Sequence, residues 1–464
     1  MLFFAEILKD EKPCAIAESS YDLITQRYRE KLAVKQCQKP YSRSKILVFL
    51  ELMMLKQLIL ENWKSFRYAE LPLDPLTVLI GTNASGKSNV VEALEFLQIT
   101  FRREDVKPAL VGDSMLPSIR GGVELAAFKP EKKFTLKVVI QGEYINTDYI
   151  YSITVKTKPS LQVLEESIIH QESHINSDKN IIRDFLKVFH LNDKKKGIHT
   201  NDEQLILIDN FFPTETTLTN TLFVNGNSGL EDEIIYNFYH FIKNIFILNP
   251  IPSKMRSYSP ISEKLETDAS NIAGVLAALS KKRKAEVEAA LSSYIKELPE
   301  GDMQKVWTQK VGRFRTDAML YCQEEWKPGH VTEIDARSMS DGTLRFLAIL
   351  TALLTRPEGS QLVIEEIDNG LHPSRAELLV RILREIGSKR KIDILLTTHN
   401  PALLDALGPE IVPFVVVAHR DKETGESKLT LLEDIENFSK LFASYSLGDM
   451  TTKGAIERSL SRNE

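Results

Sequence analysis

The chain is 464 residues long, 43% hydrophobic and 27% charged, with a formal net charge of −5. That is the composition of a globular protein with more chain than one ordinary core holds, so two or three subdomains are expected. The acidic balance excludes a strong global field for nucleic acid but leaves room for a local basic groove.

The longest apolar run, residues 46–55 with Glu51 inside it, is too short to span a bilayer. The N-terminus has no charged start and cleavage site of a signal peptide. A cytoplasmic protein without a membrane domain is expected. Cys14, Cys37 and Cys322 form no C-x-x-C pair and no zinc-spaced cluster, so free thiols in a reducing compartment are expected.

Residues 1–52 have mixed composition and no motif, and Met53 and Met54 stand directly before the first convincing strand. Residues 1–52 therefore read as an extension, with the native start expected at one of these methionines. Residues 55–60 and 68–73 read as strands pairing across the turn Trp63-Lys64-Ser65-Phe66, and 76–80 as a short buried strand. Val90, Ala93, Leu94 and Leu97 recur at helical spacing just after it. Phe134, Leu136, Val138 and Ile140 alternate, as do Tyr149, Tyr151, Ile153 and Val155, which predicts two half-buried antiparallel strands.

Residues 156–245 carry weaker patterns. Lys194-Lys195-Lys196, set among Asn, Asp, His and Gly, predicts a solvated loop, and 241–248 a buried strand ended by Asn249-Pro250-Ile251-Pro252. Asp268-Ala269-Ser270-Asn271 would cap a helix carrying Ile272, Val275, Leu276 and Leu279, and a second helix is expected over 284–298 before Pro299. Neither is long or heptad-regular enough for a coiled-coil arm. In the last third, helix 342–354, strand 361–364, helix 376–386 and strand 392–397 alternate, which predicts a parallel α/β sheet.

The strongest chemical signal is Gly81-Thr82-Asn83-Ala84-Ser85-Gly86-Lys87-Ser88, a G-x-x-x-x-G-K-S phosphate loop between a predicted strand and a predicted helix. Backbone N–H groups and the positive end of the helix face phosphate oxygens in that order of elements. Lys87 then reaches the β- and γ-phosphates, and the Ser88 hydroxyl can ligate Mg²⁺. Glu365 and Glu366 end an apolar strand, and period-two geometry predicts that they leave on opposite sides. By themselves they fit a solvated strand end, but a phosphate loop calls for a second acidic strand. Ser340-Asp341-Gly342-Thr343 precedes a helix and offers hydroxyl and N–H groups to an anion, or a plain N-cap. Asn369-Gly370-Leu371-His372-Pro373 is a turn by composition. His399 ends a strand, where an open α/β sheet presents residues to its ligand crevice.

Together these segments resemble the nucleotide-binding head of the ABC-type ATPases, in the branch that holds RecF, SMC heads and OLD-family proteins. Leu60-Glu61-Asn62-Trp63-Lys64-Ser65-Phe66 looks like the first hairpin of that branch. Gly81–Ser88 is similar to its Walker A motif, Ser340–Thr343 to its signature, Glu365–Glu366 to Walker B, Asn369–His372 to the D-loop and His399 to the switch histidine.

The resemblance implies an α/β fold with mixed and parallel sheets, an antiparallel β-subdomain and a helical insertion. It sets an N-terminal ATPase lobe at 53–157, an inserted, partly helical region at 158–300 and a C-terminal lobe at 301–464. It implies ATP and Mg²⁺ as cofactors, with Gly81, Asn83, Gly86, Lys87, Ser88 and Asn89 on the nucleotide, Ser340, Gly342, Thr343 and Asn369 completing the binding set, and Ser88 and Glu365 on the metal. Glu366 would polarise water and His399 would sense the γ-phosphate. Two heads would meet head to tail as a homo-oligomer, sandwiching two ATPs, with Lys87 and Ser88 of one copy facing Ser340 and Gly342 of the other. Two features depart from the pattern. Glu365 stands where Asp is usual, and the Q-loop glutamine has no assigned position, with Gln98 and Gln141 as candidates and neither chosen.

No transmembrane stretch points to a complete transporter, and about sixty residues after His399 leave little room for an appended nuclease. Glu433, Asp434, Glu436 and Asp449 in that tail read as a solvated acidic surface. The layout looks most like the stand-alone AAA-family ATPases of bacterial anti-phage operons such as Septu and PARIS. The expected function is a nucleotide-switched sensor and scaffold working with a separately encoded nuclease or toxin. The alternative is a RecF-like DNA-binding repair ATPase, with Lys281-Lys282-Arg283-Lys284 and Lys389-Arg390-Lys391 as candidate contacts. A third reading, an ABC subunit docking on a separate membrane protein, fits the first hairpin and the Asp341 signature less well.

Overall fold

The chain opens with a hairpin, β1 (Met54–Trp63) and β2 (Phe66–Pro72), and runs through β3 (Leu76–Ile80) into helix α1 (Lys87–Arg103). Strands β4 (Lys133–Gln141), β5 (Thr147–Lys156), β6 (Gln162–Ile175), β7 (Ile181–Asn192), β8 (Lys195–His199) and β9 (Leu205–Leu207) follow as an antiparallel meander. Helix α2 (Leu230–Lys243) leads to β10 (Phe246–Leu248), β11 (Ser259–Pro260) and the pair α3 (Ile272–Ala278) and α4 (Lys281–Lys296). A second meander, β12 (Met303–Val311), β13 (Asp317–Lys327) and β14 (His330–Asp335), precedes α5 (Asp341–Thr355). Then come β15 (Gln361–Ile364), α6 (Ala376–Arg390), β16 (Asp393–Thr397), α7 (Pro401–Leu407), β17 (Val415–Arg420) and β18 (Ser427–Leu431). This computed structural model describes residues 53–113, 118–142, 147–175, 181–192, 195–199, 205–207, 214, 216, 230–436 and 438–460. The expected extension over 1–52, with Cys14 and Cys37, lies outside the described residues, as does Lys194.

Three sheets result. The central one has the order β10-β15-β16-β3-β17-β18, parallel except for β18. An eight-stranded antiparallel sheet, β2-β1-β4-β5-β6-β7-β8-β9, holds the first hairpin, and a small sheet joins β11, β13 and β12, with β14 on β13. The architecture is the expected mixed α/β head, with a parallel sheet beside an antiparallel one.

Period-two alternation divides the core. Val78 and Ile80 of β3, Leu362 and Ile364 of β15, and Ile394 and Leu396 of β16 face one apolar cluster with α3, α4, α5 and α6. Leu79, Val363 and Leu395 face the other, with α1 and the antiparallel sheet. A strand buried on both faces reads as a continuous apolar run, which is why these strands were visible in the sequence. Trp63, Phe96 and Phe134 meet with centroids 4.8–5.8 Å apart, locking the first hairpin onto α1.

Four expectations change. Residues 241–248 are not one strand: α2 runs to Lys243 and only Phe246–Leu248 is extended. Phe238, Phe241, Ile242 and Ile245 are buried at 3- and 4-residue spacing, a helical face that an aromatic-rich run disguises as β. Lys195 opens β8 rather than lying in a loop. The second helix starts at Lys281 because the Ser280 Oγ accepts from Arg283 N, and Asn271 turns its amide back to the Glu266 N–H instead of capping α3. Strands β12–β14, β17 and β18 had no counterpart in the sequence reading.

The N-terminal edge of the central sheet, away from the phosphate loop, holds Asp74 near Asp393. Burial first, then the Asp393 charge, raises the Asp74 carboxyl to about 6. A carboxyl that holds its proton more tightly when folded costs stability as pH rises through that value. Asp74→Asn should therefore stabilise the protein by about 1–3 kcal/mol at pH 8, from the roughly 1.4 kcal/mol per pKa unit of linkage. In urea denaturation the gain should grow between pH 4 and 6 and level off above; a gain flat from pH 4 to 8 would contradict the raised pKa.

Candidate functional site

Strand β3 delivers the phosphate loop to the C-terminal edge of the parallel sheet. Gly81 has φ 142° and Gly86 φ 115°, and Ala84 between them is also left-handed at φ 62°. A Cβ on Gly81 would run into the Ala418 carbonyl of β17, and one on Gly86 would lie 2.7 Å from Phe66 Cζ. Both glycines are required by close packing as well as by backbone angle. Gly86 occupies the N-cap of α1 without a side-chain cap, so the first N–H groups of a 17-residue helix point into the loop. The Ser85 hydroxyl is buried with no hydrogen-bond partner, and Asn83 is exposed at the tip of the loop. Lys87 Nζ donates to Gly81 O at 2.6 Å and Thr82 O at 2.9 Å. Burial lowers the Lys87 pKa, and Glu366, Asp368 and Glu365 oppose that shift, so the three carboxylates share its surroundings.

The carboxylates come from the next strands. β3 pairs with β16 and β16 with β15, so the ends of all three lie side by side. Strand β15 stops at Ile364, and Glu366 takes φ 47°; the two glutamates diverge through a left-handed turn rather than through the pleat expected from the sequence. The Glu366 N–H donates to Thr397 Oγ1 at 2.8 Å and the Ile367 N–H to Thr397 O at 3.1 Å, which hold that strained residue. Buried Asp368 accepts from Thr398 Oγ1, and the Thr398 N–H donates to Leu79 O on β3. His399, the next residue, is exposed, and Asn369 Nδ2 lies 3.3 Å from Glu366 Oε2.

Ser340 caps α5, its Oγ accepting from Thr343 N at 3.1 Å and meeting Thr343 Oγ1 at 2.8 Å. Asp341 pairs with Arg256 at 2.6 Å. A Cβ on Gly342 would sit 2.7 Å from Gly370 O and 3.0 Å from Arg375 Nη1, so the start of α5 rests directly on the turn after Glu366. Arg375 is buried, donates to Glu300 at 3.0 Å and keeps Nη1 without a partner. Since α1 packs on one face of the central sheet and α5 on the other, Ser340 and Lys87 begin helices on opposite faces of that sheet.

Sequence reasoning missed Asp368, Arg375 and Arg120, whose roles come from hydrogen bonds that leave no periodicity. Neither Q-loop candidate borders the carboxylates. Gln98 is buried and donates to Ile245 O, and Gln141 pairs with Met54 at the far end of β1 from Trp63. Arg120 does border them, with Nη2 3.5 Å from Glu365 Oε1.

Asn89 fastens the loop to the first hairpin, with Nδ2 donating to Ser65 Oγ at 2.7 Å and its carbonyl accepting from Trp63 Nε1 at 2.7 Å. Beside it lies a cavity of about 440 Å³ lined by Lys64, Ser65, Asn89, Phe128, Lys129 and Arg420 among others. Arg420 donates to Ala84 O at 2.9 Å, so this open cavity adjoins the phosphate loop.

The hydroxyl of Ser88 and the half-buried carboxylate of Glu365 are hard oxygen donors of the kind Mg²⁺ takes together with phosphate oxygens. Among the described residues no group of three or more His, Cys, Asp or Glu could hold a metal ion. The orphaned Ser85 hydroxyl and the two glycines that cannot take a Cβ make the loop a fitting cradle for a triphosphate.

A glycine loop, an acidic strand end and a strand-end histidine on one sheet edge define a P-loop head of the ABC ATPase type. A family model described as "AAA domain, putative AbiEii toxin, Type IV TA system" matches residues 76–405, more than two thirds of the chain, and the chain belongs to that family. No curated protein matches it. Among solved structures it is similar to an SMC head domain from Thermotoga maritima, at 14% identity and TM-score 0.38 over 81% of this chain and 98% of that one. An Smc head domain from Pyrococcus furiosus with an extended coiled coil, bound to the C-terminal domain of ScpA, matches at 14% identity and TM-score 0.42 over 84% and 100%. One from Pyrococcus yayanosii with a coiled coil and joint matches at 10% identity and TM-score 0.42 over 84% and 99%. Among the described residues, no helix is long and apolar enough to cross a membrane.

Gly81→Ala tests the cradle. The variant should lose about 1–3 kcal/mol of stability through its left-handed φ and the Ala418 clash, seen as a lower thermal midpoint. Fluorescent ATP-analogue binding should weaken at least tenfold in the same sample.

Proposed function

We propose that this protein binds ATP with Mg²⁺ and hydrolyses it to ADP and phosphate between two copies of the chain. The observation that carries this reading is the convergence of Lys87, Glu366 and His399 at the ends of the neighbouring strands β3, β15 and β16. Lys87 and the N–H groups opening α1 bind the triphosphate, and bound Mg²⁺ would neutralise charge on its β- and γ-oxygens. Ser88 and Glu365 are the residues that would hold the ion. Glu366 orients the attacking water and takes its proton; the Asn369 contact and the Thr397 anchor keep the carboxylate in place. His399, exposed at the adjacent strand end, contacts the γ-phosphate.

The opposed placement of α1 and α5 on the central sheet supports a composite site. Ser340, Gly342 and Thr343 then serve a nucleotide on the second copy, head to tail, rather than the one at Lys87. ATP bridges two copies and its hydrolysis releases them, so the nucleotide biases two assembly states.

In the cell this switch acts as a sensor and scaffold of an anti-phage system with a separately encoded nuclease or toxin. The toxin–antitoxin wording of the matched family supports that direction. The RecF-like reading keeps only part of its candidate contacts. Arg283 donates to Leu354 O, Lys284 to Thr308 O and Arg390 to Leu353 O and Arg356 O, which fastens these three to the core, while Lys281, Lys282 and Lys389 stay exposed.

Glu366→Gln should keep ATP affinity within about threefold, cut turnover by at least a hundredfold and accumulate an ATP-dependent dimer in light scattering. Ordinary hydrolysis by this variant would remove Glu366 from its role. Lys87→Ala should lose ATP binding, and phage protection by the gene with its genomic neighbours should vanish with it. Protection that survives Lys87→Ala would refute the defence role.

A further inference from the structure

Three side chains outside the nucleotide set, Lys64, Glu92 and Arg120, form a bridge from the first hairpin to the acidic strand end at Glu365. Glu92 lies one turn beyond Ser88 on the same face of α1. One of its oxygens pairs with Lys64 and the other accepts from Arg120 Nε at 2.7 Å. Lys64 also donates to Arg120 O at 2.9 Å. The Lys64 and Glu92 side chains are 6% and 7% exposed, whereas that of Arg120 is 66% exposed. The guanidinium is therefore pinned at Nε by a buried acid while Nη2 extends to Glu365 at 3.5 Å.

The two contacts differ in strength. The Glu92 pair is short and sheltered. The Glu365 pair is longer, and its arginine end is open to water, which keeps it among the weaker ion pairs. A third carboxylate, Glu95, lies close enough to feel both Glu92 and Glu365. Three acids thus face two cations, and the weaker cationic contact falls on the carboxylate that would receive the metal.

We propose that Arg120 is a resident counter-ion of Glu365 that competes with the divalent metal of the nucleotide, so that this arginine sets the metal concentration at which nucleotide loading occurs. When Glu365 turns to the metal, Arg120 keeps its Glu92 anchor and only Nη2 changes partner. The arginine acts through Glu365 and is a positioning residue, not a catalytic one. This inference rests on the nucleotide-binding reading above.

The test uses the full chain with a non-hydrolysable ATP analogue and Mn²⁺ as probe, counting bound metal by electron paramagnetic resonance. Arg120→Gln should tighten Mn²⁺ binding about two- to fivefold, the upper part of the range that a weak ion pair gives. In the Glu365→Gln background, which removes the shared partner, Arg120→Gln should produce no tightening. Arg120→Lys, which keeps the charge, should stay within twofold of the unsubstituted protein. Unchanged or weakened Mn²⁺ binding in Arg120→Gln, with nucleotide binding to the unsubstituted protein intact, would overturn the inference. So would a tightening that persists without Glu365. An unsubstituted protein that takes up no metal–nucleotide at all would instead overturn the ATPase reading on which it stands.

Discussion

The pairing of β3 with β16 is the contact on which the rest depends. Leu76 to Leu79 lie in parallel register with Ile394 to Thr397, joining segments more than three hundred residues apart. Without that register the phosphate loop would be a glycine turn before a helix, and the carboxylates a polar strand end. With it, Thr398 donates to Leu79 O, Asp368 accepts from Thr398, and the loop, the acids and the histidine share one edge. A parallel pairing needs a crossover, and here the chain from α1 through α6 supplies it. The functional edge is thus a product of long-range pairing, the slowest kind of contact to form.

How much was legible follows from what each element buries. Strands covered on both faces are continuous apolar runs, and 76–80, 361–364 and 393–397 were readable for that reason. The strands β12 to β14 are half open to solvent and mix Lys, Gln and Glu with Trp and Tyr, so their alternation is diluted. Helix α2 was misread because Phe and Tyr are strand formers by propensity, and only the spacing of Phe238, Phe241, Ile242 and Ile245 shows the true period. The loop glycines were readable because their chemistry demands identity: no other residue fits φ 142° against a neighbouring carbonyl.

The remaining site residues were not readable, since their meaning lies in partners far away in sequence. Arg120 is one arginine in a glycine-containing stretch until Glu92 and Glu365 are placed beside it. Arg375 is a lone arginine just before a helix until Gly342 and Glu300 close around it. The left-handed Glu366 could not have been foreseen either, because that conformation is disfavoured for glutamate and persists only where Thr397 holds it.

That strained turn also links the two halves of the proposed site within each chain. Asn369 touches Glu366, and the next residue, Gly370, presents the carbonyl on which Gly342 rests. Under the proposed function, a shift of the Glu366 turn would press on the start of α5 through this contact. In a head-to-tail pair that helix would serve the other nucleotide, so the two sites would be joined through one chain's own turn. The contact is close: a Cβ on Gly342 would lie 2.7 Å from the Gly370 carbonyl and 3.0 Å from Arg375 Nη1. Such coupling would need no mobile linker, only the packing of two glycine backbones over a buried arginine.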